Sequence, residues 1–262
     1  MLKSRAIELS KKSIEAKTAF QLFIKEKEKI FSERGVNVVF HYMNPNVYNQ
    51  HHPVARHKTN DPLLPPYPKF REVAHLQNGA GHYVFVNLYM VSLGHVVVSS
   101  DDPKACQEDE LNQKDFNGLS QVIRGFNRKG IAFYNYGLES GCSQYHKHFQ
   151  FAPLTYNPVF DLMIKGYPLK YQYFTSKLTN DEPIDIARAY EALVKKANWK
   201  GSYNFLISNG YAALVPRRKA THKCGLNVNS LGVAGHFYVW ENKDQWERNH
   251  PLTILEDLCV PI

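Results

Sequence analysis

Two histidines and a glutamine, His146, His148 and Gln150, alternate along the stretch "SGCSQYHKHFQ" from Ser140 to Gln150. In an extended strand side chains two apart share a face, so these three form a polar triplet while Lys147, Phe149 and Phe151 face the other way. A neutral imidazole can attack phosphorus and later leave, splitting one displacement into two through a phosphoramidate. A second imidazole nearby can orient it through its other ring nitrogen. The preceding "SGCSQ" is small and polar, which suits a turn whose N–H groups gather round an anion. Two plainer readings stay open on these residues alone: surface histidines on an edge strand, or a pair of zinc ligands. A structural zinc site needs two more ligands, and His51-His52, His57, and His222 with Cys224 form no recognisable spacing.

The triplet must be held by the elements around it. Ser4 to Arg34 carries Ile7, Leu9, Ile14, Phe20, Leu22, Phe23 and Ile30 among lysines and glutamates with no proline, and reads as one long or broken amphipathic helix. "VNVVFHYM" (36–43) reads as a strand, and Asn44 to Phe70, crowded with Pro, Asn and His, as a long loop. "HYVFVNLYM" and "HVVVSS" form a strand pair, Glu108 to Asn127 a helix, and "GIAFYNYG" and "KHFQFAPL" strands. Pro158 to Lys165 and Pro183 to Ala197 read as helices, and "YNFLISNGYAALVPRR" as a hairpin turning at Asn209-Gly210. "HFYVWEN" is a last strand and "HPLTILEDLCV" a last helix. Hairpin-ordered strands with helices in blocks indicate α+β with an antiparallel sheet. With no repeat or clean linker, the 262 residues are expected to form one domain. Within it, 1–34 would be the helical segment and 35–262 the core.

The composition limits the functional classes. No apolar run approaches the length of a membrane span, so no membrane association is expected. Cys106, Cys142, Cys224 and Cys259 are scattered without a CxxC pair, which favours a reducing compartment. The cytosol is the default and the nucleus is open to the chain, while the basic N-terminus leaves an organellar presequence open. A formal charge of +8 implies affinity for anions. Without a zinc finger, RNP-type signature or long basic block, nucleic acid is not the expected partner.

At this point the sequence resembles a known family. "SGCSQYHKHFQ" is similar to the motif of the histidine-triad superfamily with glutamine third, and more narrowly to the ATP adenylyltransferase, or diadenosine tetraphosphate (Ap4A) phosphorylase, family. "DPLLPPYP", "VNLYMVSLGHVVVSS", "SYNFLIS", "VPRR", "NSLGVAG" and "HPLTILEDL" occur in that family's order, so the resemblance covers roughly residues 35 to 260. It implies an HIT-like antiparallel sheet with flanking helices, here with a long N-terminal helix. It also implies a nucleotidyltransferase in which His148 attacks the α-phosphorus, ATP leaves, and phosphate converts the adenylyl-histidine to ADP. His146 would hold the nucleophile's tautomer, and Gln150 would hold phosphate oxygens without acting as acid or base. Asn87, Asn135, Gly141, Cys142, Ser143, Gln144, Asn229, Ser230 and Leu231 match substrate-contacting positions, with His236 as a candidate in place of a methionine. No tightly bound cofactor or dedicated metal site is implied. Mg²⁺ or another divalent cation is expected with the nucleotide substrate, whose partners are ATP, ADP and phosphate.

The chain departs from the pattern in several places. Leu88 stands where the family has a lysine, Leu93-Gly94 where it has Pro-Arg, and Trp240 where it has another lysine. Lys58, Lys147, Arg217 and Arg218 are the candidate replacements for these cations. The losses leave two alternatives: a catalytically weakened nucleotide-binding or assembly subunit, docking on a protein partner through its N-terminal helix, or the same chemistry on adenylyl sulfate or a nucleoside diphosphate sugar.

Overall fold

The computed structural model describes residues 1–31, 36–43, 61–239 and 249–262, with the backbone alone for 23–31. In chain order the elements begin with α1 (Leu2–Glu15), β1 (Phe20–Gln21), β2 (Phe23–Phe31), β3 (Val36–Met43), β4 (Glu72–Leu76), β5 (His82–Val86), β6 (Tyr89–Met90) and β7 (Val96–Ser100). Then come α2 (Gln113–Gly125), β8 (Ile131–Tyr136), a 3₁₀ turn (Leu138–Ser140), β9 (His148–Ala152), α3 (Pro158–Ile164) and β10 (Phe174–Lys177). The last are α4 (Pro183–Ala197), β11 (Tyr203–Ser208), β12 (Tyr211–Pro216), α5 (Ser230–Val233), β13 (His236–Val239) and α6 (Pro251–Leu258).

Local signals set several boundaries. Asn209 and Gly210 both take positive φ, 51° and 74°, the conformation a two-residue hairpin loop requires. They join β11 to β12, with Ser208 opposite Tyr211. Asn112 caps α2 by accepting from Lys114 and Asp115 N–H, while Asp115 reaches back to the Asn112 N–H, a reciprocal capping box that starts the helix at Gln113 and not at Glu108. Proline at the first turn opens α3, α4 and α6.

An eight-stranded sheet runs in the order β10-β12-β11-β8-β9-β7-β5-β4, every pair antiparallel. One face carries Phe149, Phe151, Tyr134 and Phe205 against α1, α2 and α4. The other carries Phe133, Leu206 and Val215 against α3, α5, α6 and the sheet β13-β3-β2. The strand at the centre, β9, is thus covered on both sides, and its alternate residues enter different environments. The α+β class and antiparallel sheet read from the sequence are those of the structure. β4 and β10 fall where the sequence reading has no strand.

The N-terminal helix is present, but it stops at Glu15 instead of running toward Arg34. Lys17 turns left-handed at φ 55°, and Thr18 and Ala19 fold their N–H groups back onto Ser13 O at 2.9 and 3.2 Å. Phe20 and Leu22 then donate to Leu88 O and Met90 O, and Phe23–Phe31 pairs antiparallel with β3. The charges at Lys25 to Lys29 suit a strand as well as a helix, and antiparallel pairing with β3, the next strand along the chain, decides between them. Of the 1–34 segment expected to be helical, the described residues 1–31 are helix followed by strand, and 32–34 lie outside the described residues. Ala6, Ser10 and Ser13 are buried, and Leu2, Leu9 and Ile14 pack on the core, so the apolar face of α1 is covered by its own chain.

None of the four cysteines forms a disulfide. Among the described residues no helix is long and apolar enough to cross a membrane.

Candidate active site

Strand register lays a polar stripe across the sheet. Ser99 lies opposite His148, and Asn204 opposite Asn135. One step along β9 on the same face, Gln150 sits between Val97 and Phe133. His148 and Gln150 therefore share a face, as period 2 requires, and Phe149 and Phe151 take the other. Lys147 also points away, to Asp115 of α2 at 2.7 Å.

His148 is buried, and its Nδ1 lies 2.8 Å from His146 O. Only a protonated nitrogen can face a carbonyl so closely, so Nδ1 carries the hydrogen and Nε2 the lone pair. Burial pulls its pKa down to about 4 despite the bond to the His146 carbonyl. The ring is neutral near pH 7, with its nucleophilic nitrogen fixed by the other. His146 is in the opposite condition. Its Nε2 faces Ser100 O at 2.8 Å and its Nδ1 faces Asp61 Oδ2 at 2.8 Å. Burial works against charging this ring, but the bonds to Asp61 and Ser100 outweigh it and raise the pKa. An imidazolium two residues away then further disfavours a proton on His148.

Gln150 has its oxygen occupied from two sides. Asn87 Nδ2 and His95 Nε2 each donate to Oε1 at 3.0 Å. The donors are themselves oriented: Tyr89 N–H donates to Asn87 Oδ1 and Val91 N–H to His95 Nδ1. The His95 ring is held neutral by burial, with its pKa lowered to about 4. With Oε1 saturated, the Gln150 amide presents its NH₂ as a donor that cannot titrate.

A third group surrounds Asn135. Its Oδ1 accepts from Asn204 Nδ2 at 2.9 Å and from Ser230 N and Oγ at 3.0 and 2.6 Å, which fixes the amide with NH₂ free to donate. Asn229 caps α5 through Leu231 N–H, so these two and Ser230 build the wall that holds Asn135. Gly141 takes φ 81°, and a Cβ there would come within 2.5 Å of Val228 O, so the "SGCSQ" turn lies directly on that wall. Cys142 is half-buried with its thiol pushed up to about 11 by burial, Ser143 is exposed and Gln144 half-buried.

The sequence reading found the triplet, Asn87 and Asn135, and the structure assembles them. His236 lies apart: its ring bonds to His41 and to Tyr156 O, each at 3.0 Å, leaving no nitrogen for a phosphate. Asp61, His95, Gln107 and Asn204 escaped the sequence reading. Asn204 had a signal, a polar residue inside the apolar run "YNFLIS", and Asp61 opens the quoted block "DPLLPPYP". Gln107 had none.

The comparisons with known proteins agree with this geometry. Residues 2–166 match the Ap4A phosphorylase N-terminal domain and residues 167–261 the ATP adenylyltransferase C-terminal domain. The chain belongs to the Ap4A phosphorylase family. No curated protein sequence matches it. Among solved structures, yeast Ap4A phosphorylase Apa2 in complex with Ap4A superimposes with a TM-score of 0.83 at 19% identity, covering 99% of this chain and 97% of that one. The AMP complex of Apa2 gives 0.81 at 20% identity over the same shares. At these identities the likeness is one of fold. The two family segments meet at residue 166, yet β8 of the first pairs with β11 of the second, so the sheet is continuous across the boundary.

Within this phosphorylase fold the replacement cations are committed elsewhere. Arg217 is buried and donates to Leu258 O, Ser140 O, Lys219 O and Val228 O and to Asn204 Oδ1. Arg218 holds the end of α6 through Asp257 O and Glu256 O, and Lys147 is paired beneath the sheet. Arg217 and Lys147 are buried in these contacts, while Arg218 is held at the surface; Lys58 and Trp240 lie outside the described residues. Gly94 packs under α1, where its N–H donates to Ser10 Oγ at 3.0 Å, and Leu93 beside it is exposed.

The buried neutral rings make the phosphorylase fold acid-labile. His41 is lowered to about 3, and His95, His148 and His236 to about 4, in each case chiefly by burial. In the unfolded chain these rings take up a proton near their ordinary value of 6.5, and the folded chain refuses it. Stability is full above that value and is lost as pH falls toward the folded values, by about 1.4 kcal/mol per pH unit for each ring. His146, raised, contributes in the opposite sense. The urea midpoint should fall steeply between about pH 6.5 and pH 5; a flat profile there would contradict the assignment of neutral rings.

Proposed function

We propose that this chain is a nucleotidyltransferase acting as one catalytic domain, which phosphorolyses Ap4A to ATP and ADP through an adenylyl-His148 intermediate. The observation that carries the reading is the state of His148: neutral, with Nδ1–H held by the His146 carbonyl and Nε2 left as the lone-pair nitrogen. Nε2 attacks the α-phosphorus, the N–P bond forms as the P–O bond to ATP breaks, and the cationic ring keeps its proton on Nδ1 against His146 O. Phosphate then attacks the same phosphorus and the lone pair returns to Nε2, giving ADP. Gln150 and Asn135 present amide N–H groups suited to the non-bridging oxygens, where charge accumulates. An amide cannot remove a proton from water, so the intermediate favours phosphate over hydrolysis.

Among the described residues no three His, Cys, Asp or Glu side chains converge on a metal position. Mg²⁺ entering with the polyphosphate substrate would supply the neutralisation that Arg217, Arg218 and Lys147, engaged within the fold, do not. The same engagement favours a second reading, slow turnover on long polyphosphates. The test is turnover of Ap4A with ³²P-labelled phosphate. Label appearing in the β-phosphate of ADP, with equimolar ATP, is expected. AMP as the product, or no product, would contradict the phosphorylase reading.

A further inference from the structure

The register that pairs Ile131 with Ala152 and Phe133 with Gln150 would, if continued, pair Asn135 with His148. It stops one step short, and the side chain of Gln107, from the loop before α2, stands in the gap. Gln107 is buried. Its Nε2 donates to Asn135 O and His148 O, each at 2.9 Å, and its Oε1 accepts from His148 N–H at 2.8 Å. A side-chain amide thus replaces the neighbouring strand as the hydrogen-bonding partner of the nucleophile's own backbone. The Gln107 main chain closes the loop that follows: its N–H donates to Tyr145 O at 2.7 Å, and its carbonyl accepts from Gly137 N–H at 3.0 Å. One residue therefore ties together both stems of the "SGCSQ" turn, Asn135 and His148.

We propose that Gln107 is a positioning residue for His148, setting the direction of Nε2 and the opening between β8 and β9. The imidazole is bonded to His146 O, so its aim follows the backbone from 146 to 148. On the β8 side that backbone is held by the Gln107 amide. The chemistry is specific: two carbonyls and one N–H must be met by two donors and one acceptor, which a primary amide supplies and a carboxylate or hydrocarbon does not. A misplacement of about 1 Å at a reacting centre costs roughly 10²-fold in rate.

The rate arm of the test rests on the function proposed above; a second arm does not. Gln107→Met and Gln107→Glu are compared with the wild type for single-turnover adenylylation by Ap4A and for AMP affinity. In the free proteins, the downfield ¹H signal of His148 Nδ1–H is followed by NMR. In Gln107→Met the signal is expected to be lost and adenylylation to slow about 10²-fold, with affinity within about threefold. Gln107→Glu keeps one donor while its carboxyl is protonated, so its rate should fall toward that of Gln107→Met as pH rises, a limb absent from the wild type. A folded variant that keeps either the signal or the wild-type rate overturns the proposal. A wild type that never adenylylates sinks the functional reading instead, and the NMR arm still decides the positioning.

Discussion

His148→Ala is expected to lower phosphorolysis by at least about 10⁴-fold, the scale on which covalent nucleophiles act. No neighbour can take over. Both nitrogens of His146 are engaged, with Ser100 O and Asp61, and both of His95 with Gln150 and Val91. The Cys142 thiol, pushed up to about 11 by burial, stays protonated at neutral pH. The fold should survive, because Gln107 grips the backbone of residue 148 and not its ring. A melting temperature within a few degrees of wild type, with AMP still bound, would assign the loss to chemistry. Activity above about 1% in the variant would remove His148 from the nucleophile's role.

Lys147→Met should give the largest loss of stability, by about 3 to 5 kcal/mol, the usual cost of breaking a buried ion pair on one side. Lys147 Nζ lies 2.7 Å from Asp115 Oδ2 and 2.6 Å from Glu110 O, with both side chains buried. Asp115 also accepts from His82 Nε2 at 3.0 Å and from the Asn112 N–H at 2.8 Å. Burial alone would raise the Asp115 pKa, but His82 and Lys147 outweigh it and hold it below the usual carboxylate range. Removing the ammonium leaves a buried carboxylate only partly compensated. At roughly 2 to 4 °C per kcal/mol for a chain of this size, the melting temperature should drop by about 6 to 20 °C. A single variant as stable as wild type would show that the pair contributes little. The cluster lies beneath β9, on the face opposite His148, so this is a test of the scaffold.

How much of this was legible in the sequence depends on the range of the interaction. The alternation of His146, His148 and Gln150 is local, and the strand's period of 2 places them without tertiary knowledge. The Asn209-Gly210 hairpin is equally local. The end of α1 was not legible, because Phe20-Gln21 pairs with Tyr89-Met90 and Phe23 to Phe31 with the next strand along, and that pairing overrides a helical pattern. The resemblance picked out the candidate triplet and Asn135, whose neighbours the family's motif orders. It could not show that Arg217 faces four carbonyls, since an arginine's aim is decided by what folds around it. Gln107 sits in the polar run "DDPKACQEDE", indistinguishable there from a solvated loop residue until the sheet places it beside His148.

The most direct test of the account is intact-protein mass spectrometry after mixing the chain with Ap4A and Mg²⁺ in the absence of phosphate. An added AMP mass, absent in His148→Ala and discharged as ADP when phosphate is supplied, is the predicted result. Nucleotide binding with no adduct and no turnover would contradict it, and would leave a nucleotide-binding protein on this fold.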